Sequence, residues 1–209
     1  MNEHDELETA VPETAVTPQT QPPKTPTATL SEKTLLLVIA ILVIGIDQYT
    51  KYLVESNLAL FDVYAPIPSL EHIFRIFHIF NTGATFGLFS GGGDIFRYPA
   101  IVVSLGIIYY NFILPANHRM LRLALGLQMG GALGNMIDRF RIGHVTDFID
   151  IGPWYIFNLA DLAVVSGAVI LGIMVWQESR ELKAQQRATA EAKNGLETAV
   201  PPQTDPSHE

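Results

Sequence analysis

The stretch "GNMIDRFRIGHVTDFIDIGPWYIFNLADLAVV", residues 134–165, places four aspartates and two arginines between two apolar runs. The flanking runs, 121–137 and 154–176, are apolar enough to enter a lipid bilayer. An ionised side chain at the centre of a membrane helix costs roughly 2.5–3.5 kcal/mol or more, so such groups are retained mainly where they serve a function. These charges therefore predict a functional polar site at the edge of a membrane.

Four apolar runs define the predicted fold. The hydrocarbon core of a bilayer is about 30 Å thick, and around 20 helical residues cross it. Hydrophobic residues make up 48% of the 209-residue chain. We predict a mainly α integral membrane protein whose membrane domain occupies residues 33–176. The four transmembrane helices are expected at about 34–54, 98–114, 121–138 and 155–176.

The two ends of the chain differ from this domain in composition. Residues 1–32 are rich in Pro, Thr, Glu and Gln, which predicts a disordered N-terminal tail, and the polar residues 177–209 are expected to be disordered as well. Most of the net charge of −8 lies in these tails, and no basic face is present, so we expect no nucleic-acid partner. The absence of cysteine excludes disulfides, thiolate metal sites and a cysteine nucleophile.

Four spans place both termini on one side of the membrane. Arg119 and Arg122 flank the short connection at 115–120, and short basic loops favour the cytoplasmic side. We therefore expect cytoplasmic termini. The long connection after the first span contains "EHIFRIFHIF" (71–80) and then a turn at Asn81-Thr82-Gly83, which predicts a small β or amphipathic element on the extracytoplasmic membrane surface.

Three glycines follow one face of the third predicted span. Gly126, Gly130 and Gly134 recur every four residues, and Gly131 lies beside them. Because glycine has no side chain to hold a neighbour away, this spacing predicts that another helix approaches closely here.

Aspartates on three predicted spans reach similar depths. At 1.5 Å per helical residue, Asp47, Asp138 and Asp161 lie about 20–25 Å from the cytoplasmic side. Asp147 and Asp150, in the loop before the fourth span, lie on the same extracytoplasmic side. We expect these carboxylates to contribute to one polar site near the extracytoplasmic face.

The spacing of polar residues indicates how such a site is built. An amide or cation one helical turn from a carboxylate can bind it. Three pairs have this spacing: Asp47 with Lys51, Asn135 with Asp138, and Asn158 with Asp161. Two carboxylates that share a proton can activate a water toward a peptide carbonyl. The residues alone leave open whether Asp138 or Asp147 is the first such carboxylate, and whether Asp47 and Asp138 form only structural ion pairs.

Five motifs in a fixed order resemble a known family. They are "DQYTK" (47–51), "NTGATFG" (81–87), "GGALGNMIDR" (130–139), "VTDF" (145–148) and "FNLAD" (157–161). In this order and at these topological positions, residues 34–176 resemble lipoprotein signal peptidase, the bacterial type II signal peptidase.

The resemblance implies a membrane aspartic endopeptidase of the bacterial cytoplasmic membrane, surrounded by membrane lipids. Its substrate would be a diacylglyceryl-modified prolipoprotein, cut just before the lipidated cysteine, and its inhibitors globomycin-type cyclic peptides. The resemblance implies no metal and no cofactor. It assigns the catalytic role to Asp147 and Asp161. The residues it assigns to binding substrate or lipid, or to supporting the catalytic pair, are Asp47, Lys51, Asn81, Gly83, Asn135, Asp138, Arg139 and Asn158.

Two other functions fit the apolar runs and their acids. Intramembrane acids also mark the path of a proton or cation transporter, although here they gather at one height. A scaffold subunit would use the glycine face for docking. Because one chain contains all five motifs, we expect a monomer.

Overall fold

The computed structural model describes residues 26–82 and 97–199, which fold mainly into helices with one small sheet. The four α-helices of these residues are α1 (Leu30–Asn57), α2 (Arg97–Ile113), α3 (Arg119–Arg141) and α4 (Leu159–Ala199). The three strands are β1 (Val63–Tyr64), β2 (Phe74–Asn81) and β3 (Val145–Ile151). The predicted class, mainly α with a small β element, is confirmed.

The helices differ in how well they suit a bilayer. Among the described helices, α4 is the one that is both long and apolar enough to cross a membrane by itself, over Leu159–Ala192. The apolar part of α2, Tyr98–Ile113, is shorter. Buried charged side chains lower the hydropathy of α1 and α3, among them Lys51 and Asp138. The count of four membrane spans therefore stays a prediction.

Both ends of the bundle extend beyond the predicted boundaries. Thr29 and Glu32 form a capping box, in which the Glu32 N–H donates to Thr29 Oγ1 at 3.3 Å and the Thr29 N–H to Glu32 Oε2 at 3.0 Å. The helix thus begins at Leu30, inside the predicted N-terminal tail. The prediction of disorder is wrong for residues 177–199, which continue α4 because they are rich in the helix formers Ala, Glu, Gln, Lys and Arg. Residues 1–25 and 200–209 lie outside the described residues.

The sheet is antiparallel, in the order β1-β2-β3. Strand β2 lies in the segment where the sequence predicts a surface element. Strand β3 lies in the predicted loop between the third and fourth spans, where no strand is predicted. Its register places Asn81 opposite Val145 and Ile79 opposite Asp147. Because side chains on a strand alternate between the two faces, Val145 and Asp147 share the face of Asn81.

The glycine face of α3 packs closely against a neighbouring helix, as predicted, and that helix is α1. A Cβ on Gly126 would lie 2.8 Å from the Leu36 carbonyl oxygen, and one on Gly130 would lie 2.7 Å from Val43 Cβ. A Cβ on Gly134 would lie 2.7 Å from Asp47 Oδ2. Gly131 lies beside Ala160 and Val164 of α4. Because these glycines have no side chains, the backbone of α3 lies close to α1 on one side and to α4 on the other.

Replacing Gly130 by alanine tests this packing. The new methyl group would collide with Val43 and with the backbone of Ala40, so Gly130→Ala should lower the free energy of unfolding by about 1–3 kcal/mol. Gly45→Ala is the matched control, because no atom lies within 4 Å of a Cβ at that helical position. Thermal unfolding in detergent measures both. Equal melting temperatures for the two variants would contradict the close approach.

Candidate active site

A buried lysine lies at the centre of the polar residues. Lys51 Nζ is 2.9 Å from Asp47 Oδ2 and 2.7 Å from Asp138 Oδ2, and all three side chains are fully buried. Nζ also donates to Asn135 Oδ1 at 2.9 Å. Burying a charge is costly unless it is paired and hydrogen-bonded, and here each charged group has an opposite partner. Lys51 therefore joins α1 to α3 at this level of the bundle.

The carboxylates of this cluster have further partners. Asp47 Oδ1 accepts a hydrogen bond from the Ala160 N–H at 2.9 Å, so Asp47 of α1 satisfies a free amide at the first turn of α4. Gln48 Nε2 donates to Asp138 Oδ1 at 2.8 Å and to the Gly134 carbonyl oxygen at 3.2 Å. Gln48 was not among the site residues predicted from the sequence. Its signal is its position three residues before Lys51, on a shared helix face.

Asp161 lies in the first turn of α4, beside the capping residue Asn158. The Asp161 N–H donates to Asn158 Oδ1 at 2.9 Å, which is a standard N-cap bond. Asp161 Oδ1 accepts from Asn135 Nδ2 at 2.7 Å. The Asp161 side chain is only partly buried, whereas Asp47 and Asp138 are completely buried. This carboxylate is therefore open to a small molecule such as water.

Asp147 lies on β3 and is held by two neutral amides. Asn158 Nδ2 donates to Asp147 Oδ1 at 2.6 Å, and Asn81 Nδ2 donates to Asp147 Oδ2 at 3.1 Å. Asn158 Nδ2 also lies 3.1 Å from Asn135 Oδ1. Asn158 therefore connects the two aspartates, because its amide nitrogen binds Asp147 while its amide oxygen binds the backbone of Asp161.

The electrostatics of Asp147 differ from those of an ordinary surface aspartate. Burial, and after it the negative charge of Asp161, raise the pKa of Asp147 from 3.8 to about 6. The amides of Asn81 and Asn158 and the charge of Lys51 act in the opposite direction. Asp147 can therefore hold a proton at mildly acidic pH.

The structure brings nearly all the predicted site residues together. The connected set is Asp47, Lys51, Asn81, Asn135, Asp138, Arg139, Asp147, Asn158 and Asp161. Arg139 belongs to it through a 3.3 Å hydrogen bond from Nη1 to the Asn135 carbonyl oxygen. Asp150 instead pairs with Arg75 across the sheet, at 2.8 Å from Nε. Gly83 lies outside the described residues.

Within residues 26–82 and 97–199, no group of three or more His, Asp or Glu side chains is arranged to hold a metal ion. A partly exposed and a buried carboxylate, joined by an asparagine within a helical bundle, are the groups that an aspartic-type hydrolase would use to activate water.

Comparison with known proteins places the chain within this class. The family model for signal peptidase II matches residues 39–177. The lipoprotein signal peptidase of Moorella thermoacetica is 40% identical over 141 residues, which cover 68% of this chain and 90% of that protein. That of Bacillus subtilis is 37% identical over 156 residues, covering 73% and 99%. The chain belongs to the signal peptidase II family.

Solved structures agree with this assignment. A bacterial membrane enzyme solved by the in meso method at 2.3 Å superposes with a TM-score of 0.65 at 29% identity, covering 74% of this chain and 93% of its own. A second such enzyme, solved at 1.9 Å, gives 0.62 at 30% identity and covers 72% and 96%. The fold is therefore that of known bacterial membrane enzymes.

The raised pKa of Asp147 predicts a pH-dependent effect of Asp147→Asn on stability. The folded state binds the Asp147 proton more tightly than the unfolded chain, so the parent loses stability as pH rises through about 6. Asparagine is neutral throughout, so the melting temperature of the variant relative to the parent should increase between pH 5 and pH 7.5. Thermal unfolding at both values measures this, and an identical difference at both would contradict the assignment.

Proposed function

We propose that the protein is a membrane aspartic endopeptidase that cleaves the signal peptide from diacylglyceryl-modified prolipoproteins, just before the lipidated cysteine. The observation that carries the proposal is the pair of carboxylates, Asp147 and Asp161, that Asn158 joins on separate elements. Membership of the signal peptidase II family, and relatives named lipoprotein signal peptidase, support the substrate class.

The two aspartates take complementary roles in this proposal. Asp147, whose pKa is raised to about 6, carries the shared proton and donates it to the carbonyl oxygen of the scissile bond. Asp161 removes a proton from the attacking water, because it is the more exposed carboxylate. As the tetrahedral intermediate breaks down, Asp161 gives that proton to the leaving amine, and Asp147 takes a proton back from a hydroxyl group of the intermediate. No covalent enzyme intermediate is needed.

The contacts of Asp138 support the choice of Asp147 as the first carboxylate. Both Asp138 oxygens are engaged, Oδ2 by Lys51 and Oδ1 by Gln48, and the residue is completely buried. A carboxylate paired with a lysine is a weak base, because the adjacent positive charge favours its ionised form. The side chain of Asp147 has only neutral amide partners. It can therefore give a proton to the substrate and take one back.

The other residues of the set support the pair in this proposal. Asp47, Lys51 and Asp138 form the charged framework, and Asn81, Asn135 and Asn158 orient the catalytic carboxylates. Arg139 contacts the Asn135 backbone, so it supports the same region. A substrate contact is proposed for Gly83 on the basis of the family resemblance alone.

Exposed aromatic residues support a position at the membrane interface. Trp154 is 76% and Tyr155 61% exposed between β3 and α4, and Tyr64 is exposed on β1. Trp and Tyr concentrate where the bilayer meets water. A lipidated substrate is confined to the bilayer, so a sheet at this interface would meet the cleavage site. We propose four spans, with the carboxylate pair near the extracytoplasmic face and both termini cytoplasmic, in a monomer.

The proposed topology predicts that an N-terminal tag is protected from added protease in intact spheroplasts and digested once they are lysed. The basic Arg119 and Arg122 favour a cytoplasmic position for the short connection between the second and third spans. Two spans separate this connection from the N-terminus, so the N-terminus lies on the same side and should be protected. Digestion of the tag in intact spheroplasts would overturn the orientation.

Processing of a diacylglyceryl-modified prolipoprotein by the purified protein in detergent tests the function directly. We expect the parent to release the signal peptide, seen as a gel shift, and Asp147→Asn and Asp161→Asn each to reduce the rate by at least about a thousandfold, since each removes one of two proton-transfer groups. Asp62→Asn, at an exposed loop position, is the matched control and should retain activity.

The variant Asp138→Asn distinguishes the two candidate carboxylates. If Asp147→Asn still cleaves and Asp138→Asn does not, the peptidase proposal stands but the assignment of Asp147 is wrong. If the folded parent cleaves nothing in the presence of lipid, the peptidase proposal fails. Proton flux through the protein in liposomes would then favour a transporter.

A further inference from the structure

The residue before Asp147 makes a contact on the other side of the catalytic strand. Thr146 and Asp147 are consecutive on β3, so their side chains point to opposite faces of the sheet. Thr146 is 1% exposed, and its Oγ1 donates to Glu55 Oε1 at 2.7 Å. Glu55 lies in the last turn of α1 and does not contact Asp147 or Asp161 among the hydrogen bonds of the described residues.

Three helices hold the polar groups of Thr146. Its backbone N–H donates to Asp138 Oδ2 of α3 at 3.3 Å, and its carbonyl oxygen accepts from Asn158 Nδ2, just before α4, at 3.3 Å. Both of these backbone bonds exceed 3.2 Å and are therefore long. The hydroxyl bond to Glu55 of α1 is the shortest of the three. Its length is ordinary for an O–H···O bond, so it helps to fix this point of β3 against the bundle.

Glu55 is itself held in place by an ion pair. Arg141 Nη2 lies 2.9 Å from Glu55 Oε1 and 3.1 Å from Oε2, so the guanidinium orients the carboxylate toward β3. Glu55 also follows Asp47 and Lys51 at four-residue intervals on one face of α1. One face of α1 thus binds the start of α4 through Asp47, α3 through Lys51, and β3 through Glu55.

We propose that Glu55 is a positioning residue for the reaction, acting through Thr146 to fix the strand that carries Asp147. The inference rests on the proposed function. Asp147 must meet Asp161, a water and the peptide carbonyl in one geometry, and a displacement of 1 Å can reduce a rate by about a hundredfold. The Glu55 bond restrains β3 one residue away from Asp147 and from the face opposite the reaction. It can therefore control the catalytic rate without touching the substrate.

Steady-state processing of the prolipoprotein by paired variants tests this. Thr146→Val keeps the shape of the side chain but removes the hydroxyl, and kcat should fall by about tenfold or more while KM stays within about twofold. Thr146→Ser, which keeps the donor, should restore kcat. Glu55→Ala should reproduce the loss and Glu55→Gln, which keeps an acceptor oxygen, should recover it. Thr189→Val, near the far end of α4, is the matched control and should match the parent.

Several results would overturn the inference. They are a Thr146→Val enzyme with the kcat of the parent, an equal loss in Thr146→Ser, or a loss seen only in KM. If Thr146→Val does not fold, Glu55→Ala decides, because Glu55 is partly exposed and its loss leaves no buried cavity. Parental kcat in that variant would also overturn it. A parent that cleaves nothing removes the proposed function and this inference together, whereas normal cleavage by Thr146→Val removes the inference alone.

Discussion

The buried contact of Lys51 with two aspartates is the constraint on which the rest of the structure depends. One ammonium group pairs with both Asp47 and Asp138 in the buried interior of the bundle, and removing one partner from such a cluster typically costs about 3–5 kcal/mol. The cluster is compatible with a membrane environment only while it is complete. Its completeness also fixes the relative positions of α1 and α3, and through the Asp47 bond to Ala160 it fixes the start of α4.

The site separates two kinds of carboxylate. Asp47 and Asp138 are paired with a cation and fully buried, so they act as framework. Asp147 and Asp161 accept hydrogen bonds from neutral side-chain amides, which belong to Asn81, Asn135 and Asn158. A neutral donor orients a carboxylate oxygen without the strong preference for the ionised form that a cation imposes. This difference supports the proposal that, of four acids in one layer, Asp147 and Asp161 transfer protons. The glycines of α3 complete the arrangement, because Gly134 leaves room for Asp47 beside it.

Part of the fold and of the candidate site could be predicted from the sequence alone. Runs of apolar residues predict the helices, and glycine spacing predicts that another helix packs closely on α3, because both follow from local periodicity. The depth of Asp47, Asp138 and Asp161 predicts that they converge. Strand β3 was not predictable in this way, since Val145–Ile151 is short and is stabilised by pairing with β2, far away in sequence. Residues 177–199, the C-terminal part of α4, were predicted to be disordered because they are polar. Their high helix propensity was the better guide.

The distinction between Asp138 and Asp147 depends on contacts across long stretches of chain. Gln48 binds Asp138 from 90 positions away, and Asn81 binds Asp147 from 66 positions away. No spacing rule encodes such contacts, so the residues alone left both aspartates as candidates and the family motif made the choice. The contact between Thr146 and Glu55 was missed for the same reason, whereas Gln48 had a signal in its position three residues before Lys51.

The central claim is that Asp147 and Asp161 form one electrostatically coupled pair, and a carboxyl NMR titration tests it most directly. With 13C-labelled aspartate, the Asp147 resonance should titrate near pH 6 in the parent, because burial and the charge of Asp161 raise its pKa. In Asp161→Asn the midpoint should move to lower pH and remain above 3.8, since burial persists. A midpoint that is the same in both proteins would show that the two carboxylates do not interact, and would contradict the dyad.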